Sequence, residues 1–417
     1  MYVNRLITER LNSLIGTFPV VVISGARQVG KSTLIQNAFP EGTDYVVFDP
    51  VTDIENARQD PDLFLDNHPS RPLLLDEIQY VPELVAALKR RIDRNRFPGQ
   101  FILTGSRQWQ VMKSMAESLA GRAVFLDLEG FCIAESVDSA GMGGWLGAWL
   151  ENPLDFAGMD HEVFETGRTL FEMLWRGWLP QAVLMPLESI ADFHESYLRT
   201  YVERDVRLLG DVFDWQSFGR FVRLASALTG QEVNYSQLGR DIGVSPQTSR
   251  RWLDILIATF QWFEVPAYSG NTVKRISSKP KGYFADSGFA CSLQHVSSPG
   301  ALGGHPMLGA LFETCVAAEI RKLSAGISPK PAIWHWRSRG GAEVDLVLER
   351  DNRFFPVEIK VKTRLSRHDT KGISAFRKTY PDLNIAPGLV LAPTERMLKI
   401  SDQDYAMPWN VSVSGTV

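Results

Sequence analysis

Apolar residues recur along this chain in two rhythms. Leu6, Ile7, Leu11, Leu14 and Ile15 sit at helical spacing and predict a helix over 4–16. Short, almost wholly apolar runs then alternate with amphipathic stretches. The runs predict strands at Pro19–Ser24, Tyr45–Phe48, Pro72–Ile78, Phe101–Gly105 and Ala123–Leu128, with helices such as Lys31–Ala38 and Pro82–Asn95 between them. Apolar strands separated by helices predict a parallel sheet covered on both faces. The pattern changes at 134–172, which is rich in Gly and Trp and holds eight acids against one base, Arg168. It reads as a connector with short helices. Residues 190–230 read as helical throughout, and a compact helical cluster follows at 234–262. A stretch punctuated by Gly, Pro and Lys runs over 266–288. The last part pairs a helix, Leu308–Leu323, with strands at Ala332–Arg337, Val344–Glu349, Phe355–Lys360 and Pro387–Leu391. The expected division is 1–133, 134–189 (the connector), 190–290 and 300–417.

Composition narrows the classes. Of 417 residues, 44% are hydrophobic and 22% charged, which excludes wholesale disorder and fibrous repeats. The net charge of −4 excludes a histone-like basic binder but is an average. Over 233–281, seven Lys/Arg against three Asp/Glu give +4. Such a local basic face suits a nucleic-acid partner. Cys132, Cys291 and Cys315 form no CxxC pair, which argues against a disulfide framework or zinc and suits a reducing, cytoplasmic setting. Charges interrupt the N-terminus too early for a signal peptide. No run approaches the roughly 18 apolar residues of a membrane span, so no membrane partner is expected.

Gly25-Ala26-Arg27-Gln28-Val29-Gly30-Lys31-Ser32-Thr33 fits the pattern G-x-x-x-x-G-K-[ST], fed by a strand and left by a helix. The glycines let backbone amides curl around phosphate oxygens at a helix N-terminus. Lys31 is expected at the β- and γ-phosphates and Ser32 on Mg2+. The strand Leu73-Leu-Leu-Asp76-Glu77 delivers two acids, Asp76 for Mg2+ and Glu77 to activate water. Thr104 and Ser106 end a further strand and are candidates for sensing the γ-phosphate. Arg122 is a candidate arginine finger, in its own chain or on a neighbouring subunit; an ordinary surface arginine is the alternative. No N-K-x-D guanine signature is present, which favours ATP.

Tyr235–Leu256 has the pattern of a helix-turn-helix. Gly243 makes the turn, Ser245 caps the second helix and Pro246 opens it. Gln247, Arg250 and Arg251 are placed to face a major groove. Lys274 and Arg275, with Lys279 and Lys281, fall where a β-wing would extend. The unit binds DNA on one reading and mediates protein contacts or serves as a plain structural module on the other.

Two later strands deliver Asp345, then Glu358 and Lys360. Residues two apart on a strand share a face. Asp with Glu-x-Lys is the set that metal-dependent nucleases use: carboxylates on Mg2+, lysine beside the attacking water. Glu313, on the preceding helix, is a further metal candidate. Val344, rather than proline, precedes the acid.

In this order, the motifs resemble a prokaryotic family of AAA-type P-loop ATPases with a C-terminal domain of unknown function similar to restriction endonucleases (PD-(D/E)xK-like). The matching segments include Val21–Leu34, Leu73–Gln79, Val233–Leu256, Tyr283-Phe-Ala-Asp286-Ser-Gly288 and Gly341–Lys360. The resemblance implies an α/β chain: a P-loop domain with a parallel sheet, a helical winged-helix-like middle, and an α/β restriction-endonuclease-like end. It implies an ATPase using ATP and Mg2+. The leading expectation is that nucleotide state is coupled to a DNA-facing C-terminal half, with nuclease activity as a further hypothesis. The alternative is a nucleotide-gated switch that binds a protein partner with little turnover. A homo-oligomer is a candidate assembly.

Overall fold

The computed structural model describes residues 2–39, 43–49, 54–105, 117–142, 144–200 and 214–413. Five parallel strands build the N-terminal sheet: β1 (Val20–Ser24), β2 (Tyr45–Val47), β3 (Leu73–Asp76), β4 (Phe101–Gly105) and β5 (Ala123–Asp127). Their order is β2-β3-β4-β1-β5, so β4 lies between the strand that ends in Asp76 and the strand that feeds the glycine-rich turn.

Alternation along β1 explains the two covered faces. Val20 and Val22 pack with Leu84, Leu88 and Ile92 of the helix Leu84–Arg94. Val21 and Ile23 point the other way, onto Leu11 and Leu14 of the helix Thr8–Ile15 and Leu34 of Lys31–Ala38. The second core does not stop at the domain edge. It continues through Trp145, Trp149, Phe156 and Trp178 into Phe312, Phe355 and Trp409.

The acidic segment after residue 133 therefore contributes core, beyond the connecting role its composition predicts. Most of its acids face outward, Glu135 being buried, while Trp145, Leu146 and Trp149 are buried, with Trp149 edge-on to Phe355 at 5.2 Å. His161–Val163 pairs antiparallel with Val411–Val413. The helical reading of 190–230 is met over Ile190–Thr200 and Trp215–Ala227; residues 201–213 lie outside the described residues.

In the middle, helices Trp215–Ala227, Tyr235–Ile242 and Pro246–Ala258 pack on a three-stranded antiparallel sheet. Lys281–Phe284 is its central strand, between Gln231–Glu232 and Trp262–Val265. Asn234 caps one helix through the Gln237 amide, and Ser245 caps the next through the Thr248 amide. The chain between the last two strands is no extended wing. Tyr268 plunges against Phe354, Phe376 and Tyr380, and a helix forms over Thr272–Ser277. Apolar burial of Tyr268 outweighs extension of a polar ribbon.

The C-terminal sheet runs Ala332–Arg337, Glu343–Arg350, Arg353–Ile359, Gly388–Ala392, Asp404–Pro408, Leu398–Lys399. Its first three strands are antiparallel; the next two join in parallel. The helix Leu308–Ala325 covers one face, and Lys371–Thr379 the other. Among the described residues no helix is long and apolar enough to cross a membrane.

Candidate functional site

At the C-terminal edge of β1 the chain turns through Gly25–Gly30 into the helix Lys31–Ala38. Gly30 has φ +91°, which only glycine adopts cheaply. A side chain at Gly25 would collide with the Leu128 carbonyl. No side chain caps the first helical turn, so its amides are available to an anion. Lys31 is buried, and its Nζ donates to the carbonyls of Gly25 (3.0 Å) and Ala26 (2.8 Å). The turn borders a cleft of about 850 Å3 lined by Arg27, Gln28, Gly30, Lys31, Ser32, Thr33 and Glu77. Tyr2, Phe131, Leu184 and Met185 line it further out. Ala26 and Val29 are buried beneath the turn.

Two strands away, β3 ends at Asp76. The Tyr45 hydroxyl donates to Asp76 Oδ2 at 2.6 Å, on the side of the site where Ser32 stands. Burial, and then the Asp76 charge, push the Tyr45 phenol well above its ordinary range. Glu77 has φ +57°; its amide donates to Asp76 Oδ1 at 3.0 Å and its carboxylate accepts from Gln79. Thr104 is fully buried and donates to Asp76. It stands between the two acids, on Asp76 and beneath the Glu77 amide. Ser106 lies outside the described residues.

For Arg122 the geometry bears on its own chain alone. The residue precedes β5, and its guanidinium chelates Asp93 at 2.6 and 2.9 Å. The glycine-rich turn follows β1, and a five-residue parallel strand spans roughly 16 Å. Arg122 is therefore at the opposite edge of the sheet and does not reach the phosphate loop of its own chain.

The C-terminal candidates do converge, together with two unexpected residues. Lys360 Nζ lies 2.7 Å from Glu358 and 3.2 Å from Asp345. Lys281 Nζ lies 2.6 Å from Glu313 and 3.4 Å from Asp345. The Tyr283 hydroxyl donates to Glu313 at 2.7 Å, and the Ile359 amide to Asp345 at 2.8 Å. Burial, and then Asp345, raise Glu313 to about 7 and Glu358 well above its usual range. Burial opposes ionisation of Asp345 too, but Lys281 and Lys360 overcome it and hold its carboxyl low. Three carboxylates thus enclose two ammonium groups. Among the described residues no three His, Cys, Asp or Glu side chains are placed to hold a metal ion. In this arrangement Glu313, Asp345 and Glu358 are engaged by Lys281 and Lys360 and do not converge on one point as a Mg2+ set would.

Gln247, Arg250 and Arg251 are exposed on Pro246–Ala258. Arg250 lies over Tyr235, and Arg275 over Tyr268 and Trp334 at 4.3 and 5.4 Å. Arg250, Arg275 and Lys279 line one cleft of about 860 Å3 with Tyr235, Glu264 and Trp334. The side chain of Lys274 lies outside the described residues.

Three family models match. Residues 17–137 match an AAA domain. The N-terminal part is thus similar to an AAA-type P-loop ATPase domain. Residues 167–300 and 308–411 match two domains of unknown function (DUF8612 and DUF4143). Uncharacterised proteins of Mycobacterium bovis and Mycobacterium tuberculosis are each 29% identical over 405 residues, covering 96% of this chain and 82% of theirs. A Walker-type ATPase of Pyrococcus abyssi is 15% identical, covers 69% of this chain and 94% of its own, and has a TM-score of 0.39. RuvB of Thermotoga maritima is 16% identical over 65% of this chain and 94% of its own, with a TM-score of 0.29. Those overlaps are too loose to carry an argument. The restriction-endonuclease resemblance finds no counterpart among these matches.

Beside the ATPase domain's motif residues stand Tyr45, Arg5 and Lys281, which motif reading passes over. Tyr45 reaches Asp76 only through the register of β2 on β3. For Arg5, a base just ahead of the apolar pair Leu6 and Ile7, and for Lys281, beside buried Tyr283, the signal was a charge within an apolar context.

Proposed function

We propose that the protein is a Mg2+-dependent ATPase that couples nucleotide state to a cationic cleft able to take DNA. The carrying observation is that Lys31, Ser32 and Glu77 line one cleft, with Asp76 next to Glu77 and held by Tyr45. That neighbourhood supports a fit to Mg2+, which Ser32 and Asp76 would hold and which would neutralise charge on the phosphates. The Lys31 ammonium, parked on backbone carbonyls, is offered to the β- and γ-phosphates when nucleotide enters. Thr104 fixes Asp76. Gln79 orients Glu77 to take a proton from the attacking water.

The middle supports a winged-helix reading: three helices with capped turns, then a small antiparallel sheet. The C-terminal helix, antiparallel strands, helix and parallel strand support a restriction-endonuclease-like ancestry. We derive no cleavage step there, since the carboxylates do not fit a metal. The cleft of Arg250, Arg275 and Lys279 favours the DNA reading by charge and by aromatic walls. A second reading, a switch for a protein partner, draws on Val273 and Ile276, exposed at 73% and 83% beside the same cleft.

The test is ATP turnover of wild type and Lys31→Ala, with and without DNA. Turnover lost in Lys31→Ala and raised by DNA is expected. Turnover indifferent to DNA moves the weight to the protein partner, and no turnover at all overturns the ATPase reading.

A further inference from the structure

Arg5 is buried beneath the phosphate loop and touches it directly. Its Nη1 donates to the Val29 carbonyl at 2.8 Å. Its Nη2 donates to the carbonyl of Glu129 at 2.7 Å, and its Nε lies 3.1 Å from Glu135 Oε1. The guanidinium also lies over the Phe131 ring, 5.0 Å from its centroid. A buried arginine could be no more than a satisfied core cation. The partner it selects argues for more.

A trans peptide is planar, so its carbonyl and the next amide point in opposite directions. With the Val29 carbonyl drawn down to Arg5, the Gly30 amide is turned the other way. Gly30 lines the nucleotide cleft. We infer that Arg5 is a positioning residue for the phosphate loop, holding the Val29–Gly30 peptide so that the Gly30 amide faces the nucleotide. The inference rests on the ATPase reading above.

Arg5 is itself held in place. Glu135 accepts from the amides of Leu6 (2.7 Å) and Cys132 (2.9 Å), which fixes its carboxylate under the guanidinium. The segment that carries Glu129 and Glu135 is fastened from the far side by the helix Leu308–Ala325. Arg321 pairs with Glu129 at 2.8 Å, and Glu319 accepts from the Ile133 amide at 2.9 Å. The loop's setting is thus tied through Arg5 to an element of the C-terminal half.

The experiment measures mant-ATP affinity and steady-state hydrolysis for Arg5→Lys, Arg5→Ala and Glu135→Gln, with melting temperature alongside. Lysine reaches either Val29 or Glu135 but cannot serve both and Glu129. Loss of a charge-assisted contact predicts a rise of about tenfold in Kd and KM for Arg5→Lys with kcat nearly kept. Arg5→Ala should lose more affinity, and Glu135→Gln less. If Arg5→Ala does not fold, the other two variants decide. Unchanged Kd and KM in a folded Arg5→Lys, or a fall in kcat at unchanged KM, overturns the inference. Wild type that binds mant-ATP without hydrolysing it overturns the ATPase reading alone, because the Kd ratio still judges Arg5. Wild type that does not bind it overturns both.

Discussion

The two charged centres of this chain use the same ingredients to opposite ends. At the nucleotide cleft, Lys31 rests on two neutral carbonyls while Asp76 is held by the hydroxyls of Tyr45 and Thr104. A phosphate with its cation can join that lysine to that acid. In the C-terminal cluster, Lys281 and Lys360 are spent on Glu313, Asp345 and Glu358. A site that has neutralised itself gains little from a metal and has little to offer a substrate. The sequence patterns G-K-S and D…E-x-K look equally chemical; the structure sets the first lysine on two backbone carbonyls and the second between two carboxylates.

Variants can break that contrast. The largest effect is expected for Glu77→Gln, which should bind ATP normally and lose turnover by about 10²–10⁴-fold, read by phosphate release. Full turnover would remove Glu77 as the base. Next is Lys281→Met. Removing one partner of a buried ionic set costs about 3–5 kcal/mol, measured by urea unfolding. A neutral outcome accompanied by new Mn2+ binding would show that the cluster is a metal site after all.

Glu319 gives a pH-dependent term. Burial raises it to about 7, above the ordinary 4.5 of a glutamate, so the folded state holds a proton that the unfolded state has released. Its contribution is fully present below about 4.5 and is lost as pH rises toward 7, by at most about 3 kcal/mol. Glu319→Gln should flatten that part of the stability profile in denaturant titrations from pH 5 to 8. The smallest effect is expected for Arg122→Ala. Its ion pair with Asp93 is exposed, so ATP turnover should stay within about twofold of wild type. A collapse of turnover would place Arg122 at a neighbouring subunit's phosphates.

The nucleotide site was legible because its chemistry is local: one turn carries Gly25 to Thr33, and Asp76–Glu77 ends an apolar strand. Arg122 carried a signal against a role within its own chain, since a residue that precedes a strand of a parallel sheet stands at the edge away from the phosphate turn. Lys281 was read as wing charge because its neighbours Lys279 and Pro280 are surface types. Only the fold brings it to Glu313, a helix away. The Trp-rich stretch 134–172 read as a connector because a packing partner such as Phe355 lies some 200 residues on. Periodicity shows that a face is apolar without saying what covers it.

One face of the ATPase sheet and the aromatic interior of the C-terminal half are a single packed mass. Calorimetric melting should then appear as one cooperative peak, with no separate foldon for the first 133 residues. Proteolytic excision of that part would yield a sticky fragment rather than a working motor. Evolution of such a chain is constrained in the same way: its parts cannot be shuffled among partners as beads on a string, and must drift together.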